Sequence, residues 1–149
     1  MAEAFSFSKK DTVLIEEFIT GKEYSVEALH FGNQSFVLQI TEKITSAPPF
    51  NVELGHIQPA DLDHEIVDKI ELLIDKIGKA LKFQNCASHT EVKINDDGIF
   101  VIETSPRLGG DFITSDLVTL STGIDMEEAL IQISLGNLPN LKAGKNRAS

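Results

Sequence analysis

The chain of 149 residues contains 23 acidic and 13 basic side chains, so its formal net charge is −10 at neutral pH. This balance, without a dense Lys/Arg cluster, argues against nucleic acid and against an anionic membrane surface as partners. The length predicts one domain. The single Cys86 excludes an internal disulfide. The sequence shows neither an apolar run long enough for a membrane span nor the pattern of a signal peptide, so we expect a cytoplasmic metabolic protein.

Residues 1–10 are interpreted as a lead-in segment or a short helix. After them, three stretches rich in β-branched residues predict strands. They span residues 12–19, 23–31 and 35–45. Gly21 ends the first strand, and the Gly32-Asn33 turn joins the second and third as a hairpin. Residues 46–58, which include two prolines and a glycine, are expected to form a loop.

A long helix is predicted from Pro59 onward, where the missing N–H of proline costs nothing. Its apolar residues recur at steps of three and four, the period of one helix face. They are Leu62, Ile66, Ile70, Leu73, Ile77 and Leu81. Acidic residues in the first turns and lysines in the last complement the helix dipole. We expect this helix to be a scaffold with no catalytic role.

Residues 90–95 and 99–104 alternate in polarity and predict a second hairpin. The intervening Asp96-Asp97-Gly98 suits a three-residue turn, because glycine adopts its left-handed conformation without steric cost. The register that this turn predicts is Asn95 opposite Ile99, Lys93 opposite Val101 and Glu91 opposite Glu103. The other face of the hairpin would contact a core through Val92, Ile94, Phe100 and Ile102.

Glu91 opposite Glu103 is an unfavourable structural choice, because directly opposed like charges destabilise a strand pair. A divalent cation bound between the two carboxylates would make their pairing favourable, because it replaces their repulsion with attraction to the ion. Hard cations such as magnesium prefer carboxylate oxygens. The Ser-Pro-Arg-Leu-Gly-Gly segment at 105–110 adds a hydroxyl, an arginine and a loop that a ligand could approach closely. The alternative is an ordinary solvated hairpin whose acidic side chains point at water.

Two short helices are predicted over residues 114–120 and 125–135, with Asp125 as the N-cap of the second. Residues 140–149 are polar and basic and are interpreted as a loose tail. Because the strands come in hairpins with the main helix between them, the predicted fold class is α+β, an antiparallel β-sheet with helices packed on one face.

Three segments in this order, residues 13–27, 41–43 and 103–111, resemble the ATP-grasp superfamily. They read VLIEEFITGKEYSVE, TEK and ETSPRLGGD. The likeness is greatest to the carboxylate–amine ligase branch that includes the amino acid ligases, and it covers roughly residues 11–136. It implies that residues 11–139 are the second, C-terminal lobe of an ATP-grasp fold, preceded by the lead-in segment and followed by a truncated tail at 140–149.

The resemblance implies a nucleotide site in the first of these segments. The carbonyl of Glu16 and the amide of Ile19 would pair with the adenine edge, and Glu23 would accept both ribose hydroxyls. The implied nucleotide-binding residues are Glu16, Glu17, Phe18, Ile19, Glu23 and Ile102. Taken alone, the segment is also compatible with a strand that exposes its acids.

The resemblance also implies metal-binding and catalytic residues. Magnesium, or manganese in its place, would be held by Glu91, Glu103 and Ser105, the last at a position where the family usually has Asn. Lys43 would contact phosphate or the acyl-phosphate, and Arg107 would steady the acyl-phosphate or the tetrahedral intermediate. The alternatives are a solvated edge lysine at 43 and an arginine that only neutralises Glu103. His89 is expected to be structural, since magnesium prefers oxygen donors.

The implied activity is ATP-dependent ligation of a small-molecule carboxylate to a small-molecule amine. The carboxylate would attack the γ-phosphate to form an acyl-phosphate, which the amine then converts into an amide or peptide bond. Two alternatives remain open: a carboxylase-type relative that activates bicarbonate, and a non-catalytic nucleotide-binding module. The sequence contains neither the phosphate-binding lysine nor the glycine-rich loop of a first ATP-grasp lobe. We therefore expect a missing N-terminal lobe as partner and an inactive isolated chain.

Overall fold

The structure, a computed structural model, describes residues 2–47 and 50–142. Its strands are β1 (Lys22–Phe31), β2 (Gln34–Thr45), β3 (Glu53–Ile57), β4 (Cys86–Asn95) and β5 (Gly98–Ser105). Its helices are α1 (Ala2–Phe7), α2 (His64–Leu81), a π-helix (Ile113–Val118), α3 (Thr119–Thr122) and α4 (Met126–Ser134). The strands form one antiparallel sheet in the order β3-β2-β1-β4-β5. The predicted α+β class with an antiparallel sheet is therefore confirmed.

Helix α2 packs against one face of the sheet. Strand β1 contributes its alternate residues Tyr24, Val26 and Ala28, as the period of two of a strand requires. Helix α2 contributes Ile70 and Ile74, which lie one turn apart on the same side of the helix. All five side chains are at most 3% exposed, so they form the main core of the protein.

A second core lies on the opposite face of the sheet. Leu29 of β1 and Ala87 of β4 are register partners, and both are buried against the C-terminal helices. Since successive strand residues point to opposite faces, Leu29 faces away from α2. The helical residues of this core are Val118, Met126, Ala129 and Ile133. The C-terminal helices thus cover one end of the second face, in addition to the helix-covered face that the sequence predicts.

Residues 12–19 form no strand, so the prediction from their β-branched composition was wrong. A strand needs a hydrogen-bonded neighbour, and none of the described strands pairs with this segment. Leu14 and Ile15 are consequently 81% and 68% exposed. The end of the segment is held at the sheet by Asn95, whose Nδ2 donates to the Thr20 carbonyl at 2.8 Å.

The predicted loop over residues 46–58 contains strand β3, which pairs with the end of β2. Strand β3 is short and lies at the edge of the sheet. Its formation therefore depends on pairing with β2 more than on the strand propensity of its own residues. The following helix begins at His64 and not at Pro59 as predicted. The reason is that the Ala60 amide donates to the Ile40 carbonyl at 2.8 Å, which holds the intervening segment against β2.

The C-terminal region differs from the prediction in one respect. Residues 114–120, predicted as one short helix, are divided between the π-helix and α3. Asp125 caps α4 as predicted, because its carboxylate accepts the Glu128 amide at 2.9 Å. Pro48, Pro49 and residues 143–149 of the predicted tail lie outside the described residues. None of the described helices is long and apolar enough to cross a membrane.

Candidate functional site

The β4–β5 hairpin places Glu91 directly opposite Glu103, as predicted. The rest of the predicted register was wrong. Asn95 pairs with Gly98 and Lys93 pairs with Phe100, because the turn has two residues and not three. A β-bulge next to Glu91 then adds one residue to β5 and restores the alignment of the two carboxylates.

The bulge also changes which residues of β5 face the core. Ile102 is left without a register partner and is 40% exposed, and Phe100 lies opposite Lys93 on the side away from α2. Ile99 takes the core position instead and packs with Ile94 against the α2 core. The nucleotide contact expected of Ile102 stays a prediction.

The candidate site lies on the part of the sheet face opposite α2 that the C-terminal helices leave open, which we call the polar face. The strand register aligns charged residues from neighbouring strands there, since Glu23 is opposite both Lys43 and Lys93, and Glu27 is opposite His89. The charged residues of the polar face and its β3 edge are Glu23, Glu27, Lys43, Glu53, His89, Glu91, Lys93 and Glu103. Side chains far apart in sequence therefore form one continuous electrostatic network.

Lys43 occupies the centre of this network. Its Nζ lies 3.0 Å from Glu23 Oε1 and 2.8 Å from Glu91 Oε1, and it also forms an ion pair with Glu53. Burial alone would lower the pKa of Lys43, but hydrogen bonds to the three carboxylates raise it well above its usual value. The side chain is only 5% exposed and β2 lies inside the sheet, so the alternative of a solvated edge lysine was wrong.

His89 links the network to a fully buried carboxylate. Its Nδ1 lies 2.5 Å from Glu27 Oε1, and its Nε2 lies 3.5 Å from Glu91 Oε1. Burial alone would lower the pKa of His89, but hydrogen bonds to these two glutamates raise it to about 9. The His89 hydrogen bond, together with Lys43, lowers the pKa of Glu91 to about 2. At neutral pH His89 is therefore a cation and Glu91 an anion, so the two form an ion pair.

The polar face brings together oxygen donors that suit a hard cation. Glu23, Glu53 and Glu91 each offer one carboxylate oxygen, and these three atoms lie within 4.8 Å of one another. Of the predicted metal ligands, Glu103 is exposed beside Glu91, and the Ser105 hydroxyl donates to Glu103 Oε1 at 3.4 Å. Carboxylate and hydroxyl oxygens fit magnesium, so the residues present are compatible with that ion.

A pocket of about 190 Å³ lies where the resemblance places the nucleotide. It is lined by Phe18, Ile19 and Glu23, and on the sheet side by Lys93. Lys93 Nζ donates to the Ile19 carbonyl at 3.3 Å and lies 5.3 Å from the centre of the Phe18 ring. Lys93 thus fixes this segment against the sheet. Glu16 and Glu17, also predicted as nucleotide-binding, are exposed and do not line the pocket.

Arg107 lies in the loop after β5 and is exposed. Its Nη1 donates to the neighbouring Leu108 carbonyl at 2.8 Å. Within the described residues its guanidinium forms no ion pair with Glu103, so this structure gives no support to the alternative of simple charge neutralisation. The four guanidinium donors not used by Leu108 can meet a ligand.

A sequence model of the ATP-grasp domain matches residues 2–116, well over half of the chain. The chain belongs to the ATP-grasp family. It is 27% identical over 146 residues to the carbamoyl phosphate synthase large chain of Clostridium acetobutylicum, a match that covers 97% of this chain and 13% of that protein. It is 31% identical over 112 residues to the alanine–anticapsin ligase of Bacillus subtilis, covering 73% of this chain and 23% of that protein.

Structural similarity agrees with this membership. The ATP-grasp chain superposes on the crystal structure of L-amino acid ligase from Bacillus licheniformis with a TM-score of 0.74 and 33% sequence identity, over 81% of this chain and 31% of that one. The chain thus spans less than a quarter of the length of these two curated relatives and about a third of the solved structure.

Three charged residues of the polar face were not predicted as site residues: Glu27, Glu53 and Lys93. Glu53 was assigned to a loop, and only its pairing in β3 brings it to Lys43. Glu27 and Lys93 were placed in strands but were given no role in the site. The alternation of Glu23, Ser25 and Glu27 along β1 is the signal that could have placed a polar face there.

Proposed function

We propose that this chain is the nucleotide- and magnesium-binding lobe of an ATP-dependent ligase that joins a carboxylate to an amine through an acyl-phosphate. The supporting observation is the network around Lys43, in which one buried ammonium lies among Glu23, Glu53 and Glu91. Glu103 lies directly beside this network, and the pocket lined by Phe18 and Ile19 adjoins it at Glu23.

The nucleotide end of the site is the Phe18–Glu23 pocket. Lys93 donates to the Ile19 carbonyl and holds the segment, and no hydrogen bond within the described residues uses the Ile19 amide, which could therefore donate to an adenine nitrogen. Glu23 lies at the boundary between the pocket and the Lys43 network, which suits a carboxylate that accepts ribose hydroxyls. The phosphates would then extend along the polar face toward Glu91 and Glu103.

The metal end of the site is the Glu91–Glu103 pair with Ser105. Their oxygens would hold magnesium, which when bound would offset phosphate charge during phosphoryl transfer. Lys43 keeps a positive charge at the centre of the network, where it can contact phosphate oxygens once the carboxylates have another cation to bind. Arg107, exposed in the loop after Glu103, would stabilise charge on the acyl-phosphate or the tetrahedral intermediate.

The proposal includes a second lobe that completes the cleft. Relatives of this chain are several times longer. The segment before β1 exposes Leu14, Ile15 and Phe18, each at least 65% accessible. Apolar residues exposed in one stretch are expected at an interface. We propose that they face the first ATP-grasp lobe, and that the isolated chain does not turn over ATP.

The choice of a ligase over a carboxylase-type enzyme rests on the identity values. The L-amino acid ligase is 33% identical, whereas the carbamoyl phosphate synthase large chain is 27% identical and the biotin carboxylase from Campylobacter jejuni 19%. Amino acids would supply both the carboxylate and the amine of the proposed reaction. An assay with pairs of amino acids would identify which one supplies the carboxylate and which one the amine.

The test is product formation by the complete protein with ATP, magnesium and pairs of amino acids. We expect ADP, phosphate and a dipeptide in equal amounts, and a hydroxamate when hydroxylamine replaces the amine, because hydroxylamine traps an acyl-phosphate. ADP formation that needs bicarbonate and no amino acid would replace the ligase with a carboxylase-type enzyme. Nucleotide binding without any turnover would leave a non-catalytic module.

A further inference from the structure

Glu27 is a carboxylate buried in the interior of β1, with no exposed surface. Burying a charged group is costly unless hydrogen bonds and an opposite charge compensate it. Neither the nucleotide end nor the metal end of the proposed site uses this residue. Its burial therefore needs a separate explanation.

The hydrogen bonds of Glu27 join three separate parts of the chain. Oε1 pairs with His89 Nδ1 of β4 at 2.5 Å. Oε2 accepts the Gly109 amide of the loop after β5 at 3.3 Å and the Thr114 hydroxyl of the π-helix at 3.4 Å. The Thr114 hydroxyl also lies 3.1 Å from the Gly109 carbonyl, so the same few atoms hold both ends of the loop.

Gly109 packs directly onto the Glu27–His89 pair. A Cβ atom at Gly109 would lie 2.7 Å from Glu27 Oε1 and 2.8 Å from His89 Nδ1, closer than real Cβ contacts allow. The absence of a side chain is therefore what lets the loop backbone reach the buried carboxylate.

The two segments that meet at Glu27 also contain residues of the proposed site. Arg107 precedes Gly109 by two residues in the loop, and His89 precedes Glu91 by two residues in β4. His89 also extends the contact toward the site, since its Nε2 lies 3.5 Å from Glu91 Oε1. The position of Arg107 relative to Glu91 thus depends on a contact that neither residue makes itself.

We propose that Glu27 is a positioning residue that fixes the Arg107 loop against the strand of Glu91. The expected effect of this positioning on catalysis rests on the proposed function. The docking of the loop on Glu27 does not depend on it. The competing explanation is that Glu27 only stabilises the fold.

The experiment compares three variants of the complete protein. Glu27→Gln removes the charge at nearly constant size, and Gly109→Ala disturbs the same contact from the loop side while leaving Glu27 and His89 in place. Ser88→Ala is the matched control, because Ser88 is also a buried polar residue of the sheet and its hydroxyl lies 2.8 Å from His30 Nε2, but it faces α2 and not the polar face. The readouts are amide hydrogen exchange over residues 109–114, and kcat and KM for the ligation reaction.

We expect Glu27→Gln and Gly109→Ala to accelerate exchange in this segment by at least about tenfold, as the loss of a hydrogen bond to a charged group implies. We also expect both to lower kcat by roughly tenfold or more with the KM for ATP nearly unchanged. Ser88→Ala should change neither quantity. If Glu27→Gln does not fold, Gly109→Ala tests the same contact.

Exchange over residues 109–114 that matches the Ser88→Ala control in both variants would overturn the docking of the loop on Glu27. Accelerated exchange with unchanged kcat would overturn the positioning role and leave a structural one. If the unsubstituted protein shows no ligation, the proposed function fails, and the exchange data alone then confirm or overturn the docking of the loop on Glu27.

Discussion

Lys43 Nζ lies 2.8 Å from Glu91 Oε1 in a side-chain environment that leaves Lys43 only 5% exposed. The lysine thereby occupies the position of a counter-ion among Glu23, Glu53 and Glu91, whose carboxylates would otherwise repel one another. Lys43 therefore compensates the charge of the three carboxylates, and under the proposed function the same carboxylates would face a magnesium–nucleotide complex.

Substitution Lys43→Met should destabilise the protein and make magnesium stabilising. The loss of stability should be smaller than the roughly 3–5 kcal/mol of a fully buried ion pair, because the side chains of Glu23, Glu53 and Glu91 remain 16%, 35% and 24% exposed. Magnesium should restore part of that loss by binding the three freed carboxylates. The measurement is urea unfolding with and without magnesium. Lys22→Met is the control, because Lys22 forms a similar 2.8 Å ion pair with Glu42 but is 69% exposed. Equal effects of the two substitutions would contradict the central role of Lys43.

The free energy of unfolding should fall as pH rises from 6.5 through about 9. The folded-state pKa of His89 is raised to about 9 from 6.5, so its ion pairs contribute fully below pH 6.5 and are lost as the imidazolium deprotonates. The contribution is at most about 3.5 kcal/mol, since the pKa rises by about 2.5 units and each unit corresponds to about 1.4 kcal/mol. Urea unfolding at several pH values measures it.

His89→Gln should abolish this slope, since the titrating group is gone. His30→Gln is the control, because His30 is a second buried histidine, and burial lowers its pKa instead of raising it. A slope that persists in His89→Gln would assign the pH dependence to another group.

The pairing of Glu91 with Glu103 shows how far the sequence could predict the site. The alternating pattern correctly predicted that the two carboxylates face each other, although the turn is one residue shorter and a bulge compensates for it. The contact between Lys43 and Glu53 could not be predicted, because it depends on a short edge strand formed only by pairing with β2. The contact from Glu27 to Gly109 spans 82 residues, and no local pattern indicates it.

Residues 12–19 show a case in which the sequence predicted a strand that the structure does not contain. The β-branched residues of this segment favour a strand, but strand propensity is realised only where a neighbouring strand offers hydrogen bonds. The sequence could predict the antiparallel sheet and α2 because alternation and helical periodicity are local properties. It could not predict that a strand-like segment would lack a partner among the described strands.

Glu103→Gln should weaken divalent-cation binding in the complete protein by at least about tenfold, since it removes one of the two carboxylates of the proposed metal pair. Electron paramagnetic resonance of added manganese measures the free ion directly. Asp97→Asn is the matched control, because Asp97 is an exposed acid in the turn of the same hairpin. Unchanged affinity in Glu103→Gln would move the metal site to Glu23, Glu53 and Glu91.

Arg107→Lys should lower kcat of the complete enzyme by about 10²-fold with ATP affinity little changed. The planar guanidinium matches phosphate and carboxylate oxygens in a way that a lysine ammonium does not. Steady-state kinetics with the amino acid pair that the ligation assay identifies would measure both constants. Near-normal turnover in the lysine variant would show that Arg107 acts only through its charge and would remove it from the catalytic residues.

The most direct test of the account is an NMR titration of this chain with ATP and magnesium. Because the Phe18–Glu23 pocket and the carboxylates of the polar face belong to this chain, we expect saturable shifts of the amides between Glu16 and Glu23, followed along the sheet by those of Glu91 and Glu103. The affinity should be near millimolar, about −4 kcal/mol, since the proposed first lobe would supply the remaining contacts to the nucleotide. Shifts confined to other surfaces, with none between Glu16 and Glu23, would contradict the assignment of this face as the nucleotide site.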